Sequence, residues 1–184
     1  MSAALPQPST DPAVGRHLNR SETLNLNAEV AEMRTAADRY DVSAPEVSSW
    51  TVGMHIQHCC LAMTGVCDAL LASEPPPPRA RRSLLTAAVF TTGRIPRGRA
   101  QSPDQVIPTP GISREELDAR LDASAERLSA AADADSRKWF RHFAFGAMDR
   151  DRTLRFIQIH NRHHLRIIAD ILKAADDRVG ASSG

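Results

Sequence analysis

The stretch RDRTLRFIQIHNRHHLRIIADILKAAD, residues 150–176, decides the fold. Its apolar residues recur at helical rather than strand intervals: Leu154, Ile157, Ile168 and Ile171 share one stripe, with Phe156, Ile167 and Ala174 alongside. Asn161 and His164 fall on that stripe and His160 beside it, so a long amphipathic helix carries two imidazoles on the side it must bury. Residues four apart stand one turn apart on the same side of a helix, which lets His160 and His164 clamp a single metal ion. Such pairs also arise by chance, and a site needs a further ligand. Asn161, Arg162 and His163 lie between the pair with no glutamate among them, which argues against an HExxH metalloprotease.

Working back along the chain, TVGMHIQHCCLAMTGVCDALLAS (51–73) places Val52, Ile56, Cys59, Cys60, Met63, Val66, Cys67 and Leu70 on a broad apolar stripe, flanked by His55 and His58. The following EPPPP ends this helix, because prolines remove backbone donors and clash with the preceding turn. SETLNLNAEVAEMRTAADRY (21–40) predicts an earlier helix from a capping Ser21 to about Arg39, carrying Leu26, Val30, Met33 and Ala37. SREELDARLDASAERLSAAADAD (113–135) opens with a capping box, Ser113 and Glu116, and continues through Leu117, Leu121, Ala125 and Leu128. Four long helices and no run of strand period predict an all-α four-helix bundle, with a long connection between the second and third.

That connection holds RRSLLTAAVFTTG (81–93), a candidate short helix, and then a Pro- and Gly-rich loop whose Ile95, Val106 and Ile107 are expected to pack over the bundle. The aromatic connector SRKWFRHFAFGAMD (136–149) is expected to tuck against the bundle, with Asp149 capping the last helix. Residues 1–20 read as a flexible arm, 21–175 as the domain and 176–184 as a flexible tail.

A chain of 184 residues suits one domain. Its net charge of +1 offers no basic footprint for nucleic acid or anionic membrane. No apolar run is long enough to span a bilayer, and the opening residues lack the pattern of a secretory signal, so a cytoplasmic location is expected. The three cysteines are odd in number and crowd one helix, reading as buried small hydrophobes rather than a disulfide framework or metal ligands.

The chemistry therefore rests on histidines. His55 and His58, three apart on the apolar second helix, compete for the place opposite His160 and His164, and periodicity cannot choose between them. Three neutral imidazoles with one open position make a catalytic-type site for a divalent metal, zinc or nickel. His163 points about 100° away from His164 and belongs outside the ligand set. His142 reads as an aromatic-loop histidine bonded to backbone, and His17 has no role. Arg94, Arg97 and Arg99 could receive a carboxylate or phosphate, although such clusters are more often solvated surface. Phosphate-cradling glycine motifs, CxxC and GxSxG are all missing.

In WTVGMHIQHC (50–59) and IHNRHHLRII (159–168) the chain resembles the DinB/YfiT-like superfamily of metal-dependent four-helix bundles. The resemblance implies that the histidine eight positions after Trp50, His58, is a ligand in preference to His55, and that His160 and His164 supply the other two. GRIPRGRAQSPDQVIP (93–108) and HFAFG (142–146) are similar to a branch of that superfamily described as a domain of unknown function, with Phe143 where that branch commonly has proline. It further implies a homodimer, some relatives being transferases or isomerases that use a low-molecular-weight thiol. From the site itself the expectation is an enzyme acting on a small molecule, as a metal-dependent hydrolase or thiol-dependent transferase, with Arg97 or its neighbours receiving an anionic group. The alternative expectation is a non-catalytic, metal-stabilised bundle serving as a dimeric interaction module.

Overall fold

A computed structural model describes residues 20–75, 84–97 and 103–182. His17, Arg99 and all but the last residue of the N-terminal arm lie outside them. Five helices follow in order: α1 (Arg20–Ala36), α2 (Val52–Ala72), α3 (Leu84–Thr92), α4 (Arg114–Asp133) and α5 (Arg150–Ser182). The long four form the bundle: α1 packs against α4 and α5, and so does α2. α3 is the short helix of the connection. Among the described residues no helix is long and apolar enough to cross a membrane.

The stripes read from the sequence meet in one core. Met33 of α1, Ile56, Met63 and Leu70 of α2, Leu117 and Leu121 of α4, and Leu154 and Ile171 of α5 are all buried. Local chemistry sets the helix ends. Thr51 and Ser113 accept from the backbone N–H three residues on, at 3.2 and 3.1 Å, and Asp149 accepts from Arg152 N at 2.9 Å. α2 stops where Ser73 Oγ donates to the Leu70 carbonyl at 2.7 Å, just before the prolines.

Four expectations need correction. α1 is already helical at Arg20, ahead of the start expected at Ser21. α5 runs on to Ser182 through most of the segment expected as a tail, because nothing after Ala175 breaks the backbone ladder. The aromatic connector is a hairpin, β1 (Trp139–His142) antiparallel to β2 (Gly146–Asp149), with Gly146 at φ 74°. At four residues each, these strands are too short for a period to stand out. In the loop of the long connection Ile95 and Val106 are half-buried as expected, but Ile107 remains 47% exposed. Gln57 clamps Thr109 twice, donating to its hydroxyl at 3.1 Å and accepting from its backbone N–H at 2.9 Å.

Gly53 brings the start of α2 against the 3-10 turn Ala37–Arg39 that follows α1. Its N–H donates to the Tyr40 carbonyl at 2.7 Å. A Cβ there would stand 2.9 Å from that carbonyl oxygen and 3.2 Å from Tyr40 Cβ, whereas one at exposed Gly65 in the same helix would meet nothing within 4 Å. Two Gly→Ala changes in α2 are therefore expected to have opposite signs. Gly53→Ala should destabilise by about 1–3 kcal/mol through overpacking against backbone, and Gly65→Ala should stabilise by roughly 0.5–1 kcal/mol through the unfolded-state entropy it removes. Urea melts of both variants check this, and matching signs would show that the close approach at Gly53 is relieved at no cost.

Candidate metal centre

α2 and α5 pack so that their histidine-bearing faces meet. His58 from α2 and His160 and His164 from α5 each offer one nitrogen to a group in which these atoms all lie within 4.8 Å of one another. His58 Nε2 and His160 Nε2 are 3.1 Å apart. Zinc–nitrogen bonds of about 2.0–2.1 Å in a tetrahedral set separate ligand nitrogens by about 3.3 Å. The His58–His160 pair stands close to that spacing, and the third nitrogen lies within 4.8 Å of both. These three residues could hold a metal ion.

The atoms behind the rings decide which nitrogens face inward. A carbonyl only accepts, so the 2.7 Å contact between His58 Nδ1 and the Val106 carbonyl places the proton on Nδ1 and leaves Nε2 bare. His164 Nδ1 lies 3.0 Å from His55 Nδ1, which leaves His164 Nε2 for the centre. His55 Nε2 in turn lies 3.0 Å from Ser48 Oγ. Trp50 covers the group, its ring centroid 5.1 Å from that of His58, 5.2 Å from His55 and, stacked, 6.4 Å from His164.

Burial keeps these rings neutral, the form a ligand needs. Desolvation is the largest cause throughout. It pushes His55 down to about 4 and His160 to about 3, with neighbouring histidines adding repulsion, and holds His164 well below its usual value. His58 is lowered too, against the opposing bond to Val106. Of the three clustered residues only His160 keeps partial contact with the surface; His58 and His164 are buried.

The remaining candidates fall outside the cluster. His163 meets His164 edge-on, ring centroids 5.1 Å apart, and hydrogen-bonds the backbone of Ile95. His142 Nδ1 accepts from the backbone N–H groups of Ala144 and Phe145, at 3.1 and 3.3 Å, as a loop histidine should. Its ring stacks on Phe143 and Phe145 and lies edge-on to Phe156, which borders His160. Arg97 is half-exposed and bound to Asp170 of α5 at 2.7 Å, close enough for its charge to lower His55 and His163. Arg94 is exposed. The three cysteines are buried, and desolvation raises their thiols, Cys60 to about 11 and Cys67 to about 12, so they sit in the core as apolar side chains. Sequence reasoning missed Ser48 and the Val106 carbonyl. Both lie in irregular segments, where no period marks a residue as facing the site.

A family model of the DinB superfamily matches residues 17–168, a span that contains all of α2 and the clustered α5 histidines His160 and His164. The chain belongs to the DinB superfamily. No curated protein and no solved structure matches this DinB-superfamily chain. The matched span also takes in the connection whose carbonyls at Ile95 and Val106 meet His163 and His58, so the loop and the histidine cluster fall within one family unit.

Proposed function

We propose that this DinB-superfamily protein binds one divalent ion, zinc or nickel, through His58, His160 and His164, and uses it for chemistry on a small molecule, as a hydrolase or a thiol-dependent transferase. The observation that carries the reading is the convergence of three neutral imidazole nitrogens from two helices within 4.8 Å. Three ligands leave a four-coordinate ion one position short, the arrangement of catalytic rather than structural sites. A divalent ion held there supplies Lewis acidity, which favours the deprotonated form of a thiol or water at the open position.

The protein's own residues do the rest. Val106 and His55 aim the rings, burial holds the imidazoles unprotonated, and Trp50 shields their faces from water. His160 is the partly accessible member, so a small molecule approaches from its side, beside Phe156. Arg97 is the proposed receptor for an anionic group, exchanging Asp170 for it.

Metal analysis of protein purified without a histidine tag tests this. About one equivalent of zinc or nickel is expected in wild type and only traces in His164→Ala; equal trace amounts in both would sink the reading. Cobalt-substituted wild type should also change its visible spectrum when a low-molecular-weight thiol is added. Full metal retention with no such change leaves the ion as a stabiliser of a non-catalytic bundle.

A further inference from the structure

His55 is buried, sits one turn from His58 on α2, and is absent from the histidine cluster. We propose that it is the positioning residue for His164, and that the proton order along Ser48, His55 and His164 decides whether His164 can act as a ligand. This inference rests on the metal-binding reading above.

His55 Nδ1 and His164 Nδ1 are 3.0 Å apart, so one of the two carries the shared proton. At the far side of the ring, His55 Nε2 is 3.0 Å from Ser48 Oγ, which already accepts from Trp50 N–H at 3.1 Å. A hydroxyl can use its second lone pair or its proton, so the chain has two self-consistent orders. In the first, His164 Nδ1–H donates to His55 and His55 Nε2–H donates to Ser48, and His164 Nε2 is bare. In the second, Ser48 O–H donates to His55 Nε2 and His55 Nδ1–H donates to His164, so the His164 proton sits on Nε2, where it blocks ligation. Only the first order leaves His164 Nε2 bare alongside His58 Nε2.

His58 offers the contrast. Its orienting partner is the Val106 carbonyl, which accepts and never donates, so its Nε2 is bare in every state. An imidazole in the orienting place is amphoteric, which makes His164 a conditional ligand where His58 is an unconditional one. Passing from the second order to the first moves the Ser48 proton to His55 Nε2 and the His55 Nδ1 proton to His164 Nδ1, while the proton on His164 Nε2 leaves to solvent and Ser48 regains one from solvent. Ligation of an ion at His164 Nε2 would favour the first order.

Asparagine and glutamine separate the two ends of His55, because the asparagine amide occupies the place of the ring Nδ1 and the glutamine amide that of Nε2. His55→Asn keeps an acceptor for His164 and loses Ser48; His55→Gln keeps Ser48 and strands the His164 N–H. Zinc affinity, measured by competition with a chromophoric chelator on full-length protein with folding confirmed by circular dichroism, is expected to stay within about threefold of wild type in His55→Asn. It should fall by about 10–100-fold in His55→Gln, the loss typical when a ligand's orienting partner goes. Equal losses in the two folded variants, or a larger loss in His55→Asn, would overturn the positioning role while leaving the metal site standing. No measurable affinity in wild type overturns both.

Discussion

Chelation of the metal is expected to lower the melting temperature by about 8–16 °C, and His164→Ala to abolish that shift. An ion that binds only the folded state, present at about a thousand times its dissociation constant, stabilises by about 4 kcal/mol. For a chain of this size each kcal/mol moves the midpoint by roughly 2–4 °C. The site brings α2 to α5 through side chains 102 and 106 residues apart in the sequence, contacts that exist only in the folded state. Thermal melts with zinc at saturation and with excess chelator check this for wild type and variant. A wild-type midpoint unmoved by chelator would show that the cluster holds no ion tightly.

Acidification is expected to destabilise the metal-free protein steeply below pH 6.5. In the unfolded chain the imidazoles take up protons near pH 6.5. In the folded chain His55 does not until about 4 and His160 until about 3, and His164 lies well below its ordinary value. Between those values the unfolded state binds more protons, so stability is full above pH 6.5 and drains away as the pH falls. The loss is on the order of 2 kcal/mol for each of His55 and His160 by pH 5, with His164 acting in the same direction, a large part of the 5–15 kcal/mol typical of a folded domain.

Glu29 works in the opposite sense. Burial raises its carboxyl to about 7 despite the 2.7 Å bond from Arg162, so its contribution is present below about 4.5 and is lost as the pH rises through 7. One carboxyl opposes three imidazoles, so the acid loss prevails, and Glu29→Gln should steepen it. Urea midpoints between pH 5 and 8 in the presence of chelator measure both slopes; a flat wild-type profile would show that the histidines are solvated in the folded chain.

Much of this fold was legible because burial imposes a period. The α5 stripe from Leu154 to Ile171 and the α2 stripe from Val52 to Leu70 are buried as read, and the Ser113 cap stands where its box placed it. The hairpin was not legible, since four-residue strands leave too few positions for alternation to emerge, and His142 gains its backbone partners only once Gly146 turns the chain. The gathering of His58 with His160 and His164 was readable as helix faces plus family resemblance. Periodicity left His55 and His58 equivalent, and both are buried to the same 3%.

The sequence by itself therefore determined which helices form, which faces they bury, and that imidazoles ride on two of those faces, because each is a matter of local spacing along one chain segment. Only the tertiary structure decided what each imidazole does. His58 meets His160 and turns its other nitrogen to the Val106 carbonyl, whereas His55, one turn earlier, passes behind His164 to Ser48. The proposed ligand and its proposed orienting partner differ in which group lies behind each ring, and the crossing of helices and the path of a loop place those groups without leaving any periodic mark in the sequence.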